Sequence, residues 1–171
     1  MSFGLEALAE VVAPSVLVDA IESSRQLASL GIPHALIGGL AVGLHGHPRA
    51  TRDVDFLVGD EAFEQIAPSA LFRKELVEIA RAGVIDFMGV PPQHRELRSV
   101  LAVPKGGEIP VVPVPALVLL KLLAGRPQDL ADVHALLKAG ADVLEIRTYL
   151  GEHAPQLVPE LAKLLDPIAE E

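Results

Sequence analysis

A chain of 171 residues, half of them hydrophobic and only 4% aromatic, is long enough to bury an aliphatic core as one globular unit, and its lack of cysteine excludes disulfide scaffolds, thiolate metal sites and cysteine nucleophiles. A formal net charge of −9 excludes a protein that coats nucleic acid through bulk basic surface, while leaving room for a local basic patch. The N-terminal stretch carries Glu6 and Glu10 and no basic leader, and no segment reaches the ~18 apolar residues of a membrane span, so a cytoplasmic location without membrane contact is expected.

In chain order, residues 15–30 show apolar positions at helical spacing, with Ser15 placed to cap and Gly31 to stop the helix. Residues 33–37 form a short apolar run closed by Gly38-Gly39, and 40–45 suit a short helix before the break at Gly46-His47-Pro48. Over 53–58, Val54, Phe56 and Val58 alternate with Asp53, Asp55 and Leu57, the strongest strand pattern in the chain. The pattern then predicts a helix over 61–67, strands over 76–80 and 84–88, a helix or extended edge over 93–101, and a strand over 109–112 after the Lys105-Gly106-Gly107 turn. Beyond Pro113, residues 116–124, 129–138, 143–151 and 159–165 favour helix, broken by Gly and Pro between them. The expected fold class is therefore α+β: one domain over 1–171, with a mixed-sheet core over 1–112 and a C-terminal helical segment over 113–171.

The chemistry concentrates in a few stretches. A strand sends residues i and i+2 to one face, so Asp53 and Asp55 point together within an otherwise apolar strand. Desolvated carboxylates must be paired, protonated or metal-bound. Two accounts stand: Arg49 and Arg52 pair with them on a solvated face, or a divalent cation such as Mg²⁺ binds them together with substrate phosphates. Asp86 repeats the pattern inside the apolar run 84–88, and if that strand lies beside 53–58, the three acids could hold two metals. Gly38-Gly39 between strand and helix leaves backbone N–H groups bare, as a tight turn or as a phosphate seat. Lys121, inside LVLLKLLAG, must snorkel or meet a negative partner. Past the break at Gly125-Arg126-Pro127, Asp129 and Asp132 share a helix face, where an acid is also favoured simply by the helix dipole. His45 and His47 lack a third ligand at metal-site spacing, and the P-loop pattern fails because Leu44-His45 stand where Lys and Ser or Thr are needed.

Gly38-Gly39, then Arg49-x-Thr51-x-Asp53-x-Asp55 and a later strand Asp86, resemble the signature of the DNA polymerase β-like nucleotidyltransferase superfamily. GGLAVGLHGHPRATRDVDFLV with LLKLLAGRPQDLADVHALL is similar to the AbiEii-like branch, which includes toxins of toxin-antitoxin systems; the resemblance spans about residues 30 to 140. It implies a mixed sheet flanked by helices and transfer of a nucleoside monophosphate from an NTP to an acceptor hydroxyl on an RNA 3′ end such as tRNA, a protein or a small molecule. Asp53, Asp55 and Asp86 would be the catalytic, Mg²⁺-holding acids. Gly38 and Gly39 would take the β and γ phosphates, Arg49 and Thr51 would belong to the nucleotide site, and Lys121 and Asp129 would match later positions of the branch. An antitoxin partner would follow from the same likeness. Gly39 stands where many members place Ser.

The alternative reading is a non-catalytic module of the same fold that binds a nucleotide or a protein. An RNA acceptor would need basic surface, for which Arg49, Arg52, Arg73, Lys74, Arg81, Arg95 and Arg98 are the candidates. A two-carboxylate glycosidase fits poorly, because acids two apart on one strand flank the same point.

Overall fold

The computed structural model describes residues 4–66 and 69–169. In chain order it places helix α1 (Pro14–Ser29), strand β1 (His34–Ile37), helix α2 (Gly38–Leu44), strand β2 (Val54–Val58), the hairpin β3 (Phe63–Ile66) and β4 (Ser69–Phe72), helix α3 (Lys74–Ala82), strand β5 (Ile85–Gly89), and helices α4 (Val114–Ala124), α5 (Pro127–Lys138), α6 (Val143–His153) and α7 (Val158–Ala169). The fold is α+β, as expected. Its central sheet has the order β1-β2-β5, antiparallel between β1 and β2 and parallel between β2 and β5.

The two-residue period of β2 sorts its side chains into two cores. Val54, Phe56 and Val58 join Leu36 of β1 and the helix α1 on one face, whereas Leu57 joins Ala35, Ile37 and the C-terminal helices on the other. Asp55 has the parity of Leu57, so it faces the C-terminal helices. That face is closed mainly by α4, buried without interruption from Pro115 to Leu122, which explains a helix apolar on all sides. β1 is anchored by His34: its Nδ1–H donates to Ile32 O at 2.9 Å, so its Nε2 accepts from the Ser24 hydroxyl at 2.7 Å. Burial lowers the pKa of this ring below its ordinary value. His45 Nε2–H likewise donates to Val112 O at 2.7 Å, a scaffold role.

Several local expectations are overturned. The helix expected over 61–67 is instead a 3₁₀ turn at Asp60–Ala62 followed by β3, with Ala67 outside the described residues. Phe63 stacks on Phe72 across the hairpin at 4.7 Å between ring centroids, and this cross-strand pair outweighs local helical preference. The strand expected over 76–80 is the interior of α3, which buries Leu76 and Ile79 at i, i+3 spacing and points charges elsewhere. Residues 93–101 resolve as a 3₁₀ helix at Arg95–Val100. The run 109–112 makes only an isolated bridge, Val111 to Leu36, because Pro110 and Pro113 cannot donate to a ladder. Ser15 caps nothing: the helix starts one residue earlier with Pro14 at its first position. Among the described residues no helix is long and apolar enough to cross a membrane; residues 1–3 of the N-terminal stretch lie outside them.

Candidate active site

Every residue expected to carry chemistry lines one cleft of about 730 Å³: Gly38, Gly39, Arg49, Thr51, Asp53, Asp55, Asp86, Lys121 and Asp129. Such a volume lies within the range of small-ligand sites. The sheet register makes its acidic wall. β2 and β5 run parallel with Asp55 opposite Asp86, so both carboxylates leave the same face of neighbouring strands. Asp53 immediately precedes β2 and shares their side by alternation.

None of the three accepts a hydrogen bond or ion pair from the described residues, Arg49 and Arg52 included. Partial burial, then the charges of Asp86 and Asp53, push the Asp55 carboxyl up to about 6, against a smaller opposing pull from Lys121 and Arg126. As they stand, no three His, Cys, Asp or Glu side chains among the described residues are gathered closely enough to hold a metal ion. The all-oxygen donor set nevertheless suits Mg²⁺, which uses one or two carboxylates and completes its shell with phosphates and water.

Above this wall the backbone turns sharply. Ile37 pairs with Asp55, and the next residue, Gly38, has φ +71°, in the left-handed region that glycine tolerates; a Cβ there would overlap Asp55 Oδ2. At Gly39 a Cβ would lie 2.6 Å from Thr51 Oγ1 and 3.2 Å from Arg49 Nη2. The Thr51 hydroxyl therefore occupies the space a serine at position 39 would claim.

The facing wall comes from α4, α5 and Arg49. Gly125, at φ +63°, ends α4 with its N–H bonded to Lys121 O, and Pro127 opens α5 at once, so the two helices turn back on each other and their facing turns meet. Lys121, 7% exposed, donates to Asp129 Oδ1 at 3.2 Å and Asp132 Oδ2 at 2.7 Å. It does not snorkel; it is a buried cation with two anionic partners. Arg49 forks onto both oxygens of Asp132, and Arg126 onto both oxygens of Asp129. Burial alone would raise both carboxyls, but the bonds from Arg126 and Lys121 hold Asp129 below its ordinary value, and those from Arg49, Lys121 and Gln128 do the same for Asp132.

Three participants lie within LLKLLAGRPQDLADVHALL without an expected role at the site: Arg126, Gln128 and above all Asp132. The spacing of Asp132 from Asp129 was the available signal, but an acid at that offset equally suits a solvated helix face. The remaining lining is apolar, with Leu117, Leu120 and Leu123 of α4 beside Phe87, Met88 and Pro91; Leu123 and Met88 are 40% and 39% exposed at its mouth.

An α+β fold that sets two uncompensated acids side by side, beneath a glycine turn and across from a cationic helix wall, defines the class of site. No protein-family model matches the chain, and no curated protein matches it. Among solved structures it is similar to an antigenic nucleotidyltransferase-like protein from Paracoccidioides brasiliensis, with 17% identity and a TM-score of 0.47 over 91% of this chain and 94% of that one.

Proposed function

We propose that the protein is a Mg²⁺-dependent nucleotidyltransferase, AbiEii-like in its site, that moves a nucleoside monophosphate from an NTP to an acceptor hydroxyl and releases pyrophosphate. The observation that carries this is the uncompensated Asp55 and Asp86 pair in the cleft. Together with Asp53, these acids outnumber the charge left over on the opposite wall, so the cleft would repel a bare triphosphate and needs cations to receive one. Asp55 and Asp86, with Asp53 on the same side, would hold Mg²⁺ ions whose shells phosphate oxygens and water complete. When bound, these would neutralise phosphate charge and stabilise the attacking and leaving oxygens.

The chain's own residues do the rest. Gly38 and Gly39 let the β and γ phosphates approach the backbone closely, with the Thr51 hydroxyl and the Arg49 guanidinium beside them. Lys121 and Asp129 orient the nucleotide from the helix side, and the aliphatic wall of α4 receives the flat base. The acceptor oxygen forms a bond to the α phosphorus as the α–β phosphoanhydride bond breaks. Asp86, exposed on the edge strand, favours loss of the acceptor proton.

Among acceptors, a protein or small-molecule hydroxyl is favoured over RNA such as tRNA: Arg49, Arg73 and Arg98 of the basic candidates are engaged by Asp132, Glu75 and Asp60. A toxin role with an antitoxin partner remains within this reading. The test is incubation of the purified protein with Mg²⁺, each of four α-labelled NTPs, total tRNA and cell lysate, beside Asp55→Asn. Label in any fraction, lost in the variant, establishes transfer and names the acceptor class. NTP binding without transfer leaves the non-catalytic module, and neither leaves no nucleotide function.

A further inference from the structure

Asp132 is 1% exposed, yet its two oxygens meet four donors. Oδ1 accepts from Arg49 Nε at 2.9 Å and Gln128 Nε2 at 3.0 Å, and Oδ2 from Arg49 Nη2 at 3.0 Å and Lys121 Nζ at 2.7 Å. One carboxylate on α5 thereby fixes a side chain of α4 and one from the segment before β2, 83 residues away in sequence. Its bonded position sets Arg49 Nη2 3.2 Å from the place a Cβ at Gly39 would take, beside the glycine turn. Lys121 and Asp129 have other partners besides, but Arg49 has no second carboxylate among the described residues.

We infer that Asp132 is a positioning residue for the triphosphate: it touches no substrate, and it locks Lys121 and Arg49 into one rigid cationic wall that meets the phosphates. The inference rests on the nucleotidyltransferase reading. Two effects oppose each other when Asp132 loses its charge. Removing a buried anion beside the site makes the cleft more positive, which by itself tightens binding of a polyanion. Losing the two-pronged grip frees Arg49 among its rotamers, and the entropy of ordering it then falls on ligand binding. The second effect dominates, because a forked guanidinium–carboxylate contact is lost as geometry, while the Coulombic part is screened where the ligand meets the guanidinium, whose side chain is 27% exposed to the cleft solvent.

The experiment is calorimetric titration with the α,β-methylene analogue of ATP and with AMP, both with Mg²⁺, in the full chain and in Asp132→Asn. Asn keeps the volume and one acceptor while removing the charge. The expected result is about tenfold or greater loss of affinity for the triphosphate, the scale of a charge-assisted hydrogen bond, with AMP affinity changed far less. Equal or tighter triphosphate binding by the variant overturns the inference. If Asp132→Asn does not fold, Arg49→Lys decides: it keeps the charge and loses the fork, so weaker triphosphate binding supports the inference and unchanged binding overturns it. A wild-type chain that binds neither these nucleotides nor any of the other three NTPs with Mg²⁺ overturns the nucleotidyltransferase reading itself, a result distinct from binding that is indifferent to Asp132.

Discussion

On the α4–α5 wall of the cleft, every carboxylate oxygen of Asp129 and Asp132 has a cationic or amide donor, whereas on the β2–β5 wall Asp53, Asp55 and Asp86 have none among the described residues. The first wall spends its charges on itself and gains a fixed geometry. The second leaves like charges side by side, which costs folding free energy and makes sense where something brought from outside compensates. Burial and ion pairing thus divide one cleft into a self-paired framework and an uncompensated acidic wall.

The largest effect that would break this contrast is chemical. Asp55→Asn should lower transfer by ~10³-fold or more, since it removes a ligand and charge without changing volume; the labelled-NTP assay measures it. The same variant in Mg²⁺-free buffer should melt no lower than wild type, and a clearly lower Tm by calorimetry would show Asp55 to be structural. Next comes the paired wall. Lys121→Ala should cost about 2–3 kcal/mol, because each of two buried carboxylates loses a cationic donor while keeping its arginine fork, and denaturant unfolding would register it. A loss below ~1 kcal/mol with weakened NTP binding would show that Lys121 serves the ligand more than the fold.

A smaller effect separates the walls by pH. Burial and the neighbouring acids push the Asp55 carboxyl up to about 6 in the folded protein, so the metal-free chain should lose ~2–3 kcal/mol of stability as pH rises from about 4 to about 6, where the folded state gives up its proton. Asp129 and Asp132, held below their ordinary values, act oppositely: their stabilisation is complete above the usual carboxylate range and is lost at more acid pH. Melting curves across that range, with and without Mg²⁺, would resolve both; Mg²⁺ should abolish the first window. NTP affinity should rise through about pH 6 as Asp55 ionises. The smallest effect belongs to Arg126, whose side chain is 76% exposed. Arg126→Ala should change stability by under ~1 kcal/mol, as solvent-screened pairs do.

The components that depend only on neighbours along the chain were legible before any fold was known. The alternation of β2, the glycine pair that closes β1, the largely apolar α4 and the Gly125-Arg126-Pro127 break each follow from local geometry or solubility, and they put Asp55 in a strand, Gly38 at a turn into a helix and Lys121 inside an apolar helix. Which of these components meet was settled by contacts between segments far apart in the chain. The parallel β2–β5 register that sets Asp86 beside Asp55, the fork from Arg49 to Asp132 and the β3–β4 hairpin all depend on long-range pairing. No local pattern distinguishes an acid that faces water from one that accepts four hydrogen bonds inside the protein, because that difference lies in what the rest of the chain brings to it.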